Sequence, residues 1–144
     1  MASRQPPSHR PVALPSARSA FSALVLPIGH TVAKRVPRGG DVYVLKHVLH
    51  DWSDEHATDI LRRCRGAMGP EARLLLVDGV IPAGNIPSAV KFSDVHMLVT
   101  NAGGRHRTAQ EWRQVCEASG FALRTLPDDG ALQSLQTLME GVPI

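Results

Sequence analysis

One histidine and several carboxylates follow a short apolar run in a pattern that could carry acid–base chemistry. Residues 42–54 read VYVLKHVLHDWSD, an apolar strand that breaks into His50, Asp51, Trp52, Ser53 and Asp54. A second apolar run, RLLLVDGVI, carries Asp78 toward its end. An imidazole accepts protons near neutral pH, and a carboxylate beside it orients the ring and stabilises its protonated form. His50 and Asp78 are therefore a candidate general base and its partner.

Two predicted strands must position this pair. Residues 43–49 and 73–81 are nearly continuous apolar runs, as expected of strands covered on both faces. Consecutive parallel strands usually lie side by side, and α/β sheets bind ligands beyond the carboxyl ends of their strands. His50 would then lie beside Asp78. The alternative is that His50 only caps the next helix and Asp78 turns the chain before Gly79, and spacing alone slightly favours that alternative.

The remaining segments predict the rest of an α/β fold. Ser53 can cap one helix, and Thr108 with Glu111 fits the capping box of another. Helices are predicted at about 54–68, 89–99 and 108–119, a loop at 101–107, and further strands at 121–126 and 135–140 around a turn at 127–130. The order of the elements predicts parallel strands first, closed by an antiparallel strand pair.

Composition divides the chain near residue 40. The net charge is +3, but residues 1–40 carry six basic and no acidic side chains, whereas the remainder carries ten basic and thirteen acidic ones. A basic, Pro- and Ser-rich segment before a mildly acidic domain does not indicate a nucleic-acid-binding surface, because phosphate-neutralising residues would have to lie on the folded domain. We expect an irregular leader at 1–40 and one domain at 41–144, with no nucleic-acid partner.

The hydropathy of the chain and its two cysteines indicate in which cellular compartment the protein is expected. No apolar stretch approaches the roughly 20 residues that cross a bilayer, so no membrane association is expected. Cys64 and Cys116 lie far apart, without the spacing of a metal site, and we interpret both as reduced structural thiols. A cytoplasmic protein is the expectation that follows.

Three blocks of sequence together resemble a known family. LKHVLHDWSDE, LLLVDGVIP and DVHMLVTNAGGRHRTAQEWRQVCEASGF occur in this order from about residue 37 to the end. They are similar to the carboxyl-terminal part of the S-adenosylmethionine-dependent O-methyltransferases of the caffeic acid and hydroxyneurosporene type. The resemblance implies the second half of a Rossmann-like class I methyltransferase sheet, truncated at its amino terminus. It also implies S-adenosyl-L-methionine as cofactor and a small hydroxylated acceptor.

The resemblance assigns roles to individual positions. The catalytic base of the family falls on His50, and the first carboxylate that supports the base falls on Asp78. The second supporting carboxylate, a glutamate in the family, is replaced by His106. Lys46, Asp51 and Trp52 match cofactor-side positions, and Met97 and Asn101 match residues lining the substrate pocket. Methyl transfer of this kind needs no metal, and no residue is predicted to be a metal ligand.

Two family features are absent from these 144 residues. Neither the Gly-rich turn that binds the cofactor nor the amino-terminal helical domain is recognisable. The alternative to an active O-methyltransferase is therefore a catalytically inactive remnant that acts, if at all, as a protein-interaction module. The strand at 43–49 would also lack one neighbour, and a long apolar edge strand promotes association. We expect residues 20–28 to cover this edge, or the chain to associate with itself or with another chain there.

Overall fold

The fold is a mixed sheet with helices packed against it. We describe residues 36–125 and 136–144 from a computed structural model. In chain order the elements are β1 (Val42–Lys46), a 3₁₀ helix (Leu49–Asp51), α1 (Asp54–Ala67), β2 (Arg73–Asp78), β3 (Val80–Ile81), α2 (Ala89–Thr100), β4 (Arg107–Thr108), α3 (Ala109–Glu117), β5 (Phe121–Thr125) and β6 (Thr137–Pro143).

The main sheet has the strand order β1-β2-β6-β5. β1 and β2 are parallel neighbours, with Val42 opposite Arg73 and Lys46 opposite Val77. β6 runs antiparallel to both β2 and β5. The predicted α/β class and the antiparallel strand pair are confirmed. The insertion of β6 between β2 and β5 was not predicted, because hydrophobic patterns mark strands without giving their lateral order.

The helices begin where side-chain capping predicts. The Ser53 hydroxyl accepts the His56 backbone N–H at the start of α1. At the start of α3, the Thr108 hydroxyl accepts the Glu111 backbone N–H while the Glu111 carboxylate accepts the Thr108 N–H. These bonds satisfy amides that have no partner within the helix. Both capping predictions are confirmed.

The strand predicted at 43–49 is too long. β1 ends at Lys46, His47 has a positive φ of 51°, and a 3₁₀ helix follows. Val48 and Leu49 are buried core residues of this bend. An apolar run shows burial but cannot distinguish a strand from a buried turn, which is why the prediction carried the strand too far.

The strand predicted at 73–81 is in fact two. β2 ends at Asp78, and after Gly79 the chain enters β3, which pairs with β4 in a separate parallel two-stranded sheet. A Cβ on Gly79 would lie 2.8 Å from Nδ1 of His106, so only glycine fits here without a shift. The Gly79 carbonyl accepts the indole N–H of Trp112 at 3.2 Å, which fixes this bend against α3.

A single apolar core joins the sheet to α1 and α3. It includes Leu61, Leu74, Trp112 and Phe121, none of which is measurably exposed. Cys64 and Cys116 are free and buried in this core, where burial raises the pKa of their thiols to about 11 and about 12. The interpretation of both as structural thiols is confirmed. Within 36–125 and 136–144, no helix is long and apolar enough to span a bilayer.

β1 lies at one edge of the main sheet as far as the described residues go. The segment 20–28 that we expected to cover this edge lies outside them, as does the turn predicted at 127–130. The last two strands are observed at Phe121–Thr125 and Thr137–Pro143 rather than at 121–126 and 135–140.

Candidate active site

The structure brings His50 and Asp78 into direct contact. His50 lies in the 3₁₀ helix just beyond β1, and Asp78 is the last residue of β2. Nδ1 of His50 is 2.7 Å from Oδ1 of Asp78. The same oxygen accepts the backbone N–H of Gly79 at 2.8 Å. His50 was expected at the end of the strand itself, and the 3₁₀ helix is what turns its ring toward β2.

This contact fixes the protonation pattern of the imidazole. A carboxylate oxygen can only accept, so Nδ1–H of His50 donates to Asp78 and Nε2 keeps its lone pair. Burial by itself lowers the pKa of His50, but the hydrogen bond and charge of Asp78, together with the charge of Asp51, raise it above the ordinary value of 6.5. Asp78 is 2% exposed, so little solvent screens this interaction. The pair has the geometry of a general base with an orienting carboxylate.

Asp51 and Asn101 lie on the other side of the ring. Oδ1 of Asp51 is 3.6 Å from Nε2 of His50, and it accepts the Asn101 side-chain amide at 2.7 Å. The same amide contacts the sulfur of Met97 at 3.4 Å. Of the two residues predicted to line a substrate pocket, Asn101 thus contacts the carboxylate next to Nε2 of His50, and Met97 contacts Asn101. The contact between Asn101 and Asp51 joins residues 50 positions apart and depends on where α2 ends, so the sequence alone does not predict it.

Lys46 and Trp52 flank the same end of β1. Lys46 is the exposed last residue of β1, and Trp52 ends the 3₁₀ helix with its ring 5.8 Å from the ring of His56. A cavity of about 60 Å³ beside Trp52 is lined by Trp52, His56, Asp59, Ile60 and Arg63. Small-molecule sites commonly measure 300–1,000 Å³. The described residues therefore form at most one wall of a cofactor-sized pocket here.

Arg107 is a positioning residue that the sequence did not reveal. Its side chain is fully buried, and its guanidinium donates to the carbonyls of Leu49 and Trp52, both at 2.9 Å, and to Asp54 at 2.8 Å. It also lies over the ring of Trp112, 5.2 Å from the centroid. One side chain from β4 thus holds both ends of the 3₁₀ helix that carries His50. A buried arginine in a sequence has no periodicity that would mark it.

His106 lies next to the His50–Asp78 pair. Its ring centroid is 4.9 Å from that of His50, and its Nδ1 is 3.8 Å from Oδ1 of Asp78. Its other nitrogen, Nε2, is 2.9 Å from the Ser93 hydroxyl. Burial and the positive charge of His50 lower the pKa of His106. A neutral imidazole therefore occupies the position where the resemblance places a second carboxylate.

Comparison with known proteins identifies the family. A family model described as an O-methyltransferase domain matches residues 17–122. The chain belongs to this O-methyltransferase family. The phenazine O-methyltransferase of Lysobacter antibioticus is 43% identical over 118 residues, which make up 81% of this chain and 33% of that protein. The O-demethylpuromycin-O-methyltransferase of Streptomyces alboniger is 42% identical over 113 residues, 76% of this chain and 30% of that protein.

A solved structure extends the likeness to the fold. The crystal structure of a methyltransferase in calicheamicin biosynthesis, in its SAH-bound form, has a TM-score of 0.68 and 34% identity, covering 81% of this chain and 34% of that one. The O-methyltransferase family inferred from the three sequence blocks is thus confirmed. The chain spans about a third of the length of these relatives. The family match begins at residue 17, and the domain boundary expected near residue 41 stays a prediction.

Proposed function

We propose that this chain is part of an S-adenosyl-L-methionine-dependent O-methyltransferase in which His50 takes the proton from a hydroxyl group of a small aromatic or polyketide-like acceptor. The observation that carries the proposal is the 2.7 Å contact between Nδ1 of His50 and Asp78, which leaves Nε2 free to accept a proton. The relatives support a small natural-product acceptor, since they include a phenazine O-methyltransferase and an O-demethylpuromycin-O-methyltransferase.

His50 and Asp78 would lower the free-energy cost of removing the proton from the acceptor hydroxyl. A phenol with a pKa of about 10 and an imidazole of about 6.5 differ by roughly 3.5 units, so proton transfer is uphill by about 5 kcal/mol. Asp78 raises the pKa of His50 and so narrows this gap. After transfer, Nε2–H of the imidazolium lies near Asp51, whose carboxylate stabilises the new charge. Proton loss that is concerted with methyl transfer would close more of the gap.

The residues beyond β1 suit the proposed cofactor. Trp52 offers an aromatic ring for an adenine, and the carboxylate of Asp51 suits a cationic group. Lys46 lies at the same carboxyl end of the sheet, where α/β folds bind their ligands. When bound, S-adenosyl-L-methionine would supply the methyl group, with the O–CH₃ bond forming as the S–CH₃ bond breaks and S-adenosyl-L-homocysteine leaving. The small cavity beside Trp52 would form one wall of this cofactor site.

A second candidate function is a catalytically inactive interaction module. The observation that favours it is a set of large apolar side chains on one helix, α2, that are more than 60% exposed: Phe92, Val95, Leu98 and Val99. Exposed apolar patches of this kind commonly mark interaction surfaces. A cytoplasmic location stays an expectation under either function.

Calorimetry with S-adenosyl-L-methionine separates the two candidates. Saturable heat is expected from the methyltransferase, and no heat at millimolar ligand would leave only the interaction module. Release of S-adenosyl-L-homocysteine with a panel of hydroxylated aromatics then tests the base. We expect His50→Gln to lower turnover by about 10²- to 10⁴-fold while cofactor binding is kept. His96→Gln, an exposed histidine on α2, is the matched control, and unchanged turnover in His50→Gln would exclude His50 as the base.

A further inference from the structure

Two histidines and a buried carboxylate converge at the bend after β1. One ligating atom each from His47, His50 and Asp78 lies within 4.8 Å of the other two. His47 and His50 stand on either side of the bend, and Asp78 ends the neighbouring strand. The convergence depends on the early end of β1 at Lys46, because a continuous strand would place these two histidines on opposite faces.

His47 adopts a backbone conformation that needs a reason. Its φ is 51°, in the left-handed region, the single non-glycine residue there within 36–125 and 136–144. Such a conformation costs about 1–3 kcal/mol and is often found at functional sites. The His47 backbone N–H donates to the Val77 carbonyl at 2.9 Å, so the conformation is held from β2. Its effect is to bring the imidazole edge-on to His50, with the ring centroids 5.6 Å apart.

His106 supplies an independent observation at the same point. The residue is 2% exposed, and its Nδ1 has no hydrogen-bond partner among the described residues. An unpaired buried polar atom costs about 1–3 kcal/mol, so such atoms are rare without a function. This nitrogen is 3.8 Å from Oδ1 of Asp78, too far for a hydrogen bond. The Ser93 hydroxyl, 2.9 Å from Nε2, fixes the orientation of the ring.

We propose that His47, His50 and Asp78 form a binding site for a divalent transition-metal ion of the zinc type, next to the unpaired Nδ1 of His106. Imidazole nitrogens and a carboxylate oxygen are the donors that zinc takes, at about 2.0–2.2 Å. Magnesium and calcium prefer sites built from oxygen alone, so they are not the expected ions. The charge of Asp78 offsets part of the charge of the ion.

The metal ion replaces one contact of the apo site. The hydrogen bond between His50 Nδ1 and Asp78 gives way to two bonds to the ion, and the ligand atoms move inward to the roughly 3.4 Å separation of a tetrahedral zinc site. A neutral imidazole bound through Nδ1 carries its proton on Nε2 and has no lone pair left to accept another. The ion therefore switches off His50 as a base. This inhibition rests on the proposed function, whereas binding of the ion does not.

Zinc titration of the metal-free full chain tests the site. Calorimetry with Zn²⁺ gives affinity and stoichiometry, and the absorption bands of Co²⁺ report the ligand geometry. His9 and His30 lie outside the described residues, so both are replaced by asparagine in every protein compared. We expect one site, with an affinity at least about tenfold weaker in His47→Asn. Asparagine is chosen because it tolerates a positive φ.

Exposed histidines provide the matched controls. His56→Asn and His96→Asn should leave the affinity and the Co²⁺ spectrum unchanged. An unchanged affinity in His47→Asn would overturn the site. Zinc binding without any cofactor heat would support the site while refuting the proposed function. Turnover that depends on His50 without zinc binding would do the reverse.

Discussion

Replacing Arg107 tests the idea that one buried side chain holds the segment carrying His50. Arg107→Met keeps most of the aliphatic volume and removes three hydrogen bonds, two to carbonyls of the 3₁₀ helix and its cap and one to Asp54. Hydrogen bonds from charged groups contribute about 1.5–3 kcal/mol each, and the ion pair with Asp54, whose side chain is 49% exposed, adds only about 0–1 kcal/mol. These contributions overlap, so we expect a loss of about 3–5 kcal/mol in the free energy of unfolding.

The neighbouring Arg105 gives a matched control. It also contacts Asp54, at 2.9 Å, and Glu111, at 2.9 Å, but its side chain is 37% exposed. Ion pairs with this exposure contribute about 0–1 kcal/mol, because water competes for both partners. Arg105→Met should therefore lower the free energy of unfolding by about 1 kcal/mol or less, although it breaks two ion pairs and Arg107→Met breaks one. Burial, and not the number of ion pairs, is what the comparison isolates.

Urea denaturation followed by circular dichroism measures both variants. A loss of 3–5 kcal/mol approaches the total stability of a small domain, so Arg107→Lys serves as a milder variant if Arg107→Met does not fold. Lysine keeps the charge but lacks the planar fork of donors, and we expect about 1–3 kcal/mol for it. If Arg105→Met proves as destabilising as the Arg107 variants, the positioning role of Arg107 is refuted.

Three further predictions concern the same region. Asp78→Asn should lower the raised pKa of His50, measured by NMR of the imidazole in EDTA, and a pKa at or above that of the unchanged protein would contradict the pairing. The stabilisation that His50 contributes is full below pH 6.5 and is lost as pH rises through its higher folded pKa. Asp78→Asn should therefore also reduce the fall in stability over that pH range. Gly66→Ala should stabilise α1 by about 0.5–1 kcal/mol, because the added Cβ meets nothing within 4 Å. Gly104→Ala should destabilise the protein by about 1–3 kcal/mol, because the added Cβ would lie 2.8 Å from the His50 carbonyl oxygen. Equal shifts of the thermal unfolding midpoint in the two variants would refute this contrast. We expect the β1 edge either to be covered or to give concentration-dependent association in light scattering. A monodisperse monomer whose β1 amides exchange freely would contradict both alternatives.

Local signals in the sequence predicted the elements well. Ser53 and the pair Thr108 and Glu111 marked the helix starts, because capping needs only a few neighbouring residues. The apolar runs marked β1 and β2, and the preference of consecutive parallel strands to be neighbours placed Asp78 near His50. These inferences succeed because each depends on interactions within a short segment or between adjacent elements.

The ends of the strands and most of the site needed the tertiary structure. The break at His47 and the break at Gly79 follow from contacts with β2, His106 and Trp112, which lie far away in sequence. An apolar run is equally compatible with a strand and with a buried bend, so hydropathy could not locate either break. The insertion of β6 between β2 and β5 is likewise a matter of lateral order, which periodicity does not encode.

The sequence by itself indicated the family and the α/β class and offered His50 and Asp78 as a candidate pair, because motif order, periodicity and strand adjacency are all local; the structure then showed the contact between them. Only the tertiary structure showed that Arg107 holds the 3₁₀ helix, that Asn101 reaches Asp51, and that His47 and His106 gather around the carboxylate of Asp78. The physical reason is that the tertiary structure sets the environment of each polar group. Whether a charged or imidazole side chain is buried, paired or unpaired depends on atoms contributed by distant segments, and no local pattern records them.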